Sequence, residues 1–338
     1  MLHTGIDLHK RTAVLTTVDA DGHVIAEATL RTRRPALARY FAALPGPHEA
    51  TVEATSGWYW VRDLLAREGV TLRLAHAKFV KAIAYAKVKT DAVDAHTLAQ
   101  LLRAGLIPEA HMISPELQPL RDVMRTRLRL VQKEVGVRNS IHRLLEKHNV
   151  RSVADLPPLA QLQAACHREQ VALLREQIRR LEKSLHPHLV PDPDVQRLLA
   201  IPGIGKVGAF TLVLEIDGIA RFPSERRFFS YCRLVPGAAN SGGRTRTRPS
   251  RDGNKYLKLM FSNAAVRAIQ YYPEIRDWYA RKARKKNRHV ARALVAKEIA
   301  RIVYHVLSQQ EDFNQRFKGT PLQRRKKQEW PRRSSPGA

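Results

Sequence analysis

Three short β-patterned runs stand at the head of the chain, "TGIDLH", "TAVLTTV" and "HVIAEATL", before any helical pattern begins. The last two are joined by Asp19-Ala20-Asp21-Gly22, a hairpin turn signal. The pattern then alternates. A helical "PALARYFAAL" with an apolar face is followed by a strand "EATVEA", a helix from near Ser56 and a strand "TLRLA". Two more helical stretches close the region, "KFVKAIAYA" and "DAVDAHTLAQLLRAG". Such an order confines residues 1–110 to an α/β domain, because each strand must bury a face against a helix.

A strand meander followed by helix–strand alternation is the order of the ribonuclease-H-like fold, and this fold is expected over residues 1–110. Four acids stand at telling places in it. Asp7 lies in the first strand between Ile6 and Leu8, so it points to the face opposite theirs. Glu53 ends "EATVEA", and Asp91 and Asp94 share one face at a helix start. In a sheet of this order the first and fourth strands are neighbours, with the last helix near their ends. Four carboxylates converging there repel one another unless cations neutralise them, and hard oxygen ligands call for Mg²⁺ or Mn²⁺. Singly, each acid has an ordinary reading: Asp91 and Asp94 as partners of a helix macrodipole, Glu53 as a strand-end acid. An unpaired Asp7 at a strand centre is costlier to dismiss. His9 and His96, close by in sequence, read as structural rather than ligating.

From residue 111 to 192 the pattern is helical. Leu120, Met124, Leu128, Val131 and Val135 recur at helical spacing, as do Val171, Leu174, Ile178, Leu181 and Leu185. The two helices, broken by "RSVADLPPL", predict a helical hairpin or coiled-coil arm, packed internally or used for dimerisation. "HPHLVPDPD" marks the boundary to a mainly helical segment over residues 193–312. There Gly203-Ile204-Gly205 lies between two helix-forming runs, as in a helix-hairpin-helix element. Gly203, Gly205 and Lys206 are candidates for phosphate binding, a tight helix–helix turn being the alternative. The stretch "LVPGAANSGGRTRTRPSRDGNKYLKL" then reads as a flexible basic loop, with Ser241 before Arg244, Arg246, Arg248, Arg251 and Lys255. These cations are candidate backbone-binding or phosphate-clamping groups. Residues 313–338 read as a basic, disordered tail.

Lys and Arg number 59 against 31 Asp and Glu, a formal net charge of +28. An excess this large implies a polyanionic partner, DNA or RNA before a membrane surface. No apolar run is long enough to span a bilayer, and the head of the chain reads as a strand rather than a signal peptide. Cys166 and Cys232 are far apart and lack metal-ligand spacing, which argues against disulfides and zinc and fits a cytoplasmic location.

In these motifs the chain resembles the DEDD transposases of bacterial and archaeal insertion sequences, the IS110 and IS1111 groups. The resemblance runs from "GIDLHKRTAVLTTVDADG" through "VEATSGWYW", "KVKTDAVDAHTLAQLLRAG", "IPGIGKVGAFTLVLEIDG" and "NSGGRTRTRPSRDGNKYLKLMFSNAA" to the last helix. Arg233 in "YCRLVP" departs from the small residue usual in the family. The resemblance implies a RuvC-like catalytic domain with Asp7, Glu53, Asp91 and Asp94 as a Mg²⁺-binding tetrad. It further implies a catalytic serine at Ser241 that cuts and rejoins donor and target DNA through a 5′-phosphoserine link. A structured bridge RNA would guide the choice of sites. The partners implied are both DNAs, this RNA and further copies of the chain, a dimer of dimers in which tetrad and serine come from different protomers, in the nucleoid. Two other readings fit part of the pattern. One is a RuvC-like, metal-dependent endonuclease acting by hydrolysis; the other is a non-catalytic nucleic-acid-binding protein.

Overall fold

The computed structural model describes residues 1–83, 90–241, 244–248 and 252–313; for residues 238–241 and 244–248 only the backbone is described. The chain divides into two compact units, 1–112 and 113–338.

The first unit holds strands β1 (Leu2–Leu8), β2 (Thr12–Val18), β3 (Val24–Arg31), β4 (His48–Glu53) and β5 (Thr71–Ala75). Its helices are α1 (Arg34–Ala42), α2 (Trp58–Arg67), α3 (Ala77–Ile83) and α4 (Asp91–Arg103). The sheet order is β3-β2-β1-β4-β5, with β1–β2 and β2–β3 antiparallel and β1–β4 and β4–β5 parallel. This order is compatible with a ribonuclease-H-like domain. Six successive residues of β2, Ala13 to Val18, are buried, so both faces of the sheet are covered there. Edge strand β3 alternates between exposed and half-buried positions instead. Gly5 decides how closely α4 approaches: a Cβ on it would lie 2.0 Å from the Ala95 carbonyl oxygen and 2.5 Å from the Ala99 nitrogen. Only glycine lets the helix backbone rest on β1.

The second unit begins with two long helices, α5 (Leu117–Lys147) and α6 (Pro158–Leu189), packed as a hairpin. Leu156, Ala160 and Ala164, with Leu144 and Leu145, close its tip. At its base Met124, Leu128, Leu185 and Leu189 enter the core of the helices that follow. These are α7 (Pro193–Leu199), α8 (Lys206–Ile216) and α9 (Glu225–Tyr231), a two-stranded hairpin of β6 (Gly237–Ser241) and β7 (Arg244–Arg248), then α10 (Lys255–Tyr271), α11 (Pro273–Lys285) and α12 (Arg288–Gln309).

Four features differ from the sequence reading. Helix α6 runs through Pro187 to Leu189, because buried Leu185 and Leu189 hold the turn around the proline in the core. The basic loop is a β-hairpin in which Ser241 pairs with Arg244. Its Arg-Thr-Arg-Thr-Arg alternation is the period-two signal of a strand. Helix α11 was not anticipated, since its cations blur the apolar period. Phe313, the first residue of the expected tail, is buried, so the packed chain reaches into that segment; residues 314–338 lie outside the described residues. Among the described residues no helix is long and apolar enough to cross a membrane.

Candidate functional site

Asp7 and Asp91 are brought together by register and by Gly5. Gly5 and Asp7 are two apart in β1 and so face the same side. The Gly5 side meets α4 at Ala95 and Ala99, one turn into that helix. Asp7, farther along the strand, therefore faces the α4 N-terminus, where Asp91 is the first helical residue and Asp94 the fourth. Thr90 fixes that start by accepting the Val93 N–H at 3.2 Å. In the parallel β1–β4 pair the last matched residues are Ile6 and Val52. The next along are Asp7 and Glu53, so Glu53 ends β4 beside Asp7.

One imidazole joins the first strand to the helix. His9 Nε2 lies 3.1 Å from Asp7 Oδ2 and 3.4 Å from Asp91 Oδ2. Donor atoms of Asp7, His9 and Asp91 all fall within 4.8 Å of one another, close enough to hold one metal ion. Burial pushes the Asp7 carboxyl above its ordinary value; His9 opposes this, while the charges of Asp91 and Asp94 raise it further. A carboxylate crowded by two others and by burial favours a bound cation. His9, expected to be structural, instead lies between the two carboxylates; its signal in the sequence is the "DLH" spacing, which puts it two residues from Asp7. His96 lies one helical turn from Gln100, with 3.5 Å between His96 Nε2 and Gln100 Nε2.

In the second unit, Gly203 takes φ +87°, and a Cβ there would lie 2.2 Å from the Ala264 carbonyl oxygen. Its missing side chain is thus required by α10. Gly205 and Lys206 are exposed on the other side of the turn, at the start of α8. They border a cleft of about 570 Å³, lined also by Arg127, Asn263 and Arg267. Ser241 ends β6, and Arg244, Arg246 and Arg248 form β7; Arg251 lies outside the described residues. Lys255 opens α10, its Nζ 5.2 Å from the Tyr256 ring.

The base of this β-hairpin is clasped. Arg233, with φ +55°, donates from Nε to the Gly253 carbonyl at 2.8 Å. The Asn254 N–H reaches the Tyr231 carbonyl at 2.6 Å. Asn254 Oδ1 caps α10, and its Nδ2 donates to Glu215 Oε2 at 2.7 Å. Glu215 in turn receives Arg125 Nε at 2.6 Å and Nη2 at 2.7 Å. Neither Glu215 nor Asn254 was singled out in the sequence, because their role depends on partners far away in the chain.

Family models cover most of both units. The model of the IS110-type DEDD transposases, described as "Transposase", matches residues 4–150. The "Transposase IS116/IS110/IS902 family" model matches residues 195–280. The chain belongs to the IS110 family of DEDD transposases. Relatives share its length as well. A protein named "Probable family 20 transposase" from Pseudomonas aeruginosa is 28% identical over 90% of this chain and 96% of its own. The transposase of IS1328 from Yersinia enterocolitica is 26% identical over the same shares. That of IS1111A from Coxiella burnetii is 23% identical over 91% and 90%. The chain is therefore a DNA transposase, its acid cluster lies in the segment matched by the DEDD model, and divalent-metal use fits that family.

Proposed function

We propose that this transposase cuts and rejoins DNA through a phosphoserine at Ser241, with Asp7, Glu53, Asp91 and Asp94 holding Mg²⁺ in a ribonuclease-H-like (RuvC-like) domain over residues 1–110. The observation that carries the acidic half is the convergence of Asp7 with the α4 N-terminus, where Asp7 and Asp91 share a single imidazole. Their donor set of carboxylate oxygens suits a hard cation. When bound, that cation supplies charge neutralisation to the transferring phosphoryl group. Ser241 Oγ attacks a DNA phosphorus, forming the Oγ–P bond as the P–O3′ bond breaks; the departing 3′ oxygen takes up a proton. A 3′-OH of the exchanged strand then attacks the same phosphorus, breaking the Oγ–P bond and returning the proton to the serine. Bond energy is conserved throughout, so no external energy source is needed. Arg244, Arg246, Arg248, Arg251 and Lys255 bind the phosphate backbone around this serine, and Gly205 and Lys206, beside Gly203, offer a further phosphate site.

The same reading has residues 111–192 as a coiled-coil arm, residues 193–312 as the serine-bearing domain and residues 313–338 as a basic tail. It also includes a structured bridge RNA pairing with donor and target DNA, and assembly of several protomers in the bacterial or archaeal cytoplasm. A formal charge of +28 supports backbone binding of both nucleic acids rather than base reading. The deciding experiment is Ser241→Ala assayed on the element's own junction DNA and RNA. Wild-type reactions quenched in detergent should contain protein linked to DNA, and the variant should give neither adduct nor cleavage. Nicking by the variant at the wild-type rate, with no adduct in wild-type reactions, would establish hydrolysis and sink the serine mechanism.

A further inference from the structure

The turn between α11 and α12 concentrates positive charge away from the Ser241 hairpin in sequence. Seven Lys and Arg residues fall between 281 and 292, and no Asp or Glu occurs from 278 to 297. Only Lys286 and Asn287 separate the two helices. Asn287 caps α12 by accepting the Val290 N–H at 2.8 Å, so the charges sit on a fixed turn. Arg281, Arg284, Lys285, Lys286, Arg288 and Arg292 are exposed, and among the described residues none has an acidic partner.

Several arginines elsewhere in the unit are neutralised within the chain. Arg127 pairs with Glu182, Arg175 with Glu134, Arg179 with Glu176 and Arg301 with Glu298. The six exposed cations of the α11–α12 turn have no such partner among the described residues. Like charges this close repel one another, and a partner of matching negative charge density removes the repulsion. Arg284 from one helix and Arg288 from the other line a single recess of about 460 Å³, together with Tyr279, Ala280 and Ala283. Lys282 is engaged differently, lying 5.4 Å from the Trp278 ring centroid.

We propose that this turn binds the phosphate backbone of duplex DNA, with Arg284 and Arg288 holding phosphate at the recess. The cluster begins where the second family model ends, at residue 280. The site adds sequence-independent affinity, since phosphate contacts position a duplex without reading it. It draws on the chain being a DNA transposase and not on the serine mechanism, so either can fail alone.

The test is a salt series on the full-length protein with a short labelled duplex of arbitrary sequence. Each lost phosphate contact lowers the slope of log affinity against log salt by about 0.9, so Arg284→Gln with Arg288→Gln should lower it by about 2. Affinity should fall by roughly tenfold at physiological salt, equally for all sequences. Arg284→Lys with Arg288→Lys should keep the wild-type slope. Arg179→Gln with Arg180→Gln, which removes the same charge from cations already beside Glu176, should leave the slope unchanged. Circular dichroism verifies that each variant is folded; if the glutamine pair is not, Arg288→Gln alone should lower the slope by about 1. An unchanged slope in the glutamine variants overturns the proposal. So does a fall no larger than that of the arm control, or a fall seen with a labelled structured RNA and not with DNA.

Discussion

Asp7 and Glu215 are carboxylates set into packed parts of one chain, and their surroundings treat them in opposite ways. Glu215 is 1% exposed, and both of its oxygens are engaged, by the Arg125 guanidinium and by the Asn254 amide. Asp7 is 19% exposed, and its neighbours are an imidazole and two more acids. One carboxylate is neutralised by the fold itself. The other is crowded by like charge that a cation from outside can relieve. The difference separates a carboxylate satisfied by the fold from one left with unrelieved charge, and it needs no motif to be seen.

The comparison can be broken most severely at Glu215. Removing one partner of a buried ion pair leaves the other unpaired, at a cost of about 3–5 kcal/mol. Glu215→Ala should therefore lower the denaturant midpoint by a large step, and Glu215→Gln by a smaller one because the Asn254 contact survives. Since Asn254 leads from the Ser241 hairpin into α10, this variant should also loosen the hairpin exit. A loss under about 1 kcal/mol for Glu215→Ala would show that solvent or rearrangement replaces the clasp, and the contrast with Asp7 would collapse.

Asp7→Asn sharpens the contrast from the other side. Asp7's pKa in the folded chain lies above its ordinary value of 3.8. Such a group adds stability below that ordinary value and loses it as pH rises through the folded value. At neutral pH the ionised carboxylate therefore opposes folding. The asparagine should melt no lower than wild type at pH 7 without divalent ions, while DNA cleavage is lost. Wild type alone should gain melting temperature on adding Mg²⁺. A variant that melts well below wild type would mean Asp7 has a structural partner, as Glu215 does.

Much of the acid cluster was legible because its cause is local. Strand period and helix start place Asp7 and Asp91 along the chain, and the packing of α4 on β1 brings both to one imidazole. Gly5 was legible as a residue but not as the reason α4 comes so close, since its effect appears only when Ala95 and Ala99 are known to lie opposite. The Glu215 clasp was illegible for the same reason. Arg125, Glu215 and Asn254 are separated by 90 and 39 positions, and no periodicity links them. The Ser241 strands were missed where charge outweighed alternation in a stretch read for its basic residues.

Arg233 should show the smallest effect. Its left-handed backbone costs an arginine roughly 1 kcal/mol that glycine does not incur. Its hydrogen bond to the Gly253 carbonyl returns about 0.5–1.5 kcal/mol. Arg233→Gly removes both, so its midpoint should stay within about 1 kcal/mol of wild type. Arg233→Ala keeps the strain and loses the bond, and should be the less stable of the two. If Arg233→Gly falls more than about 1 kcal/mol below wild type, the bond across the hairpin base outweighs the strain, and Arg233 belongs with Glu215 among the groups that the fold itself satisfies.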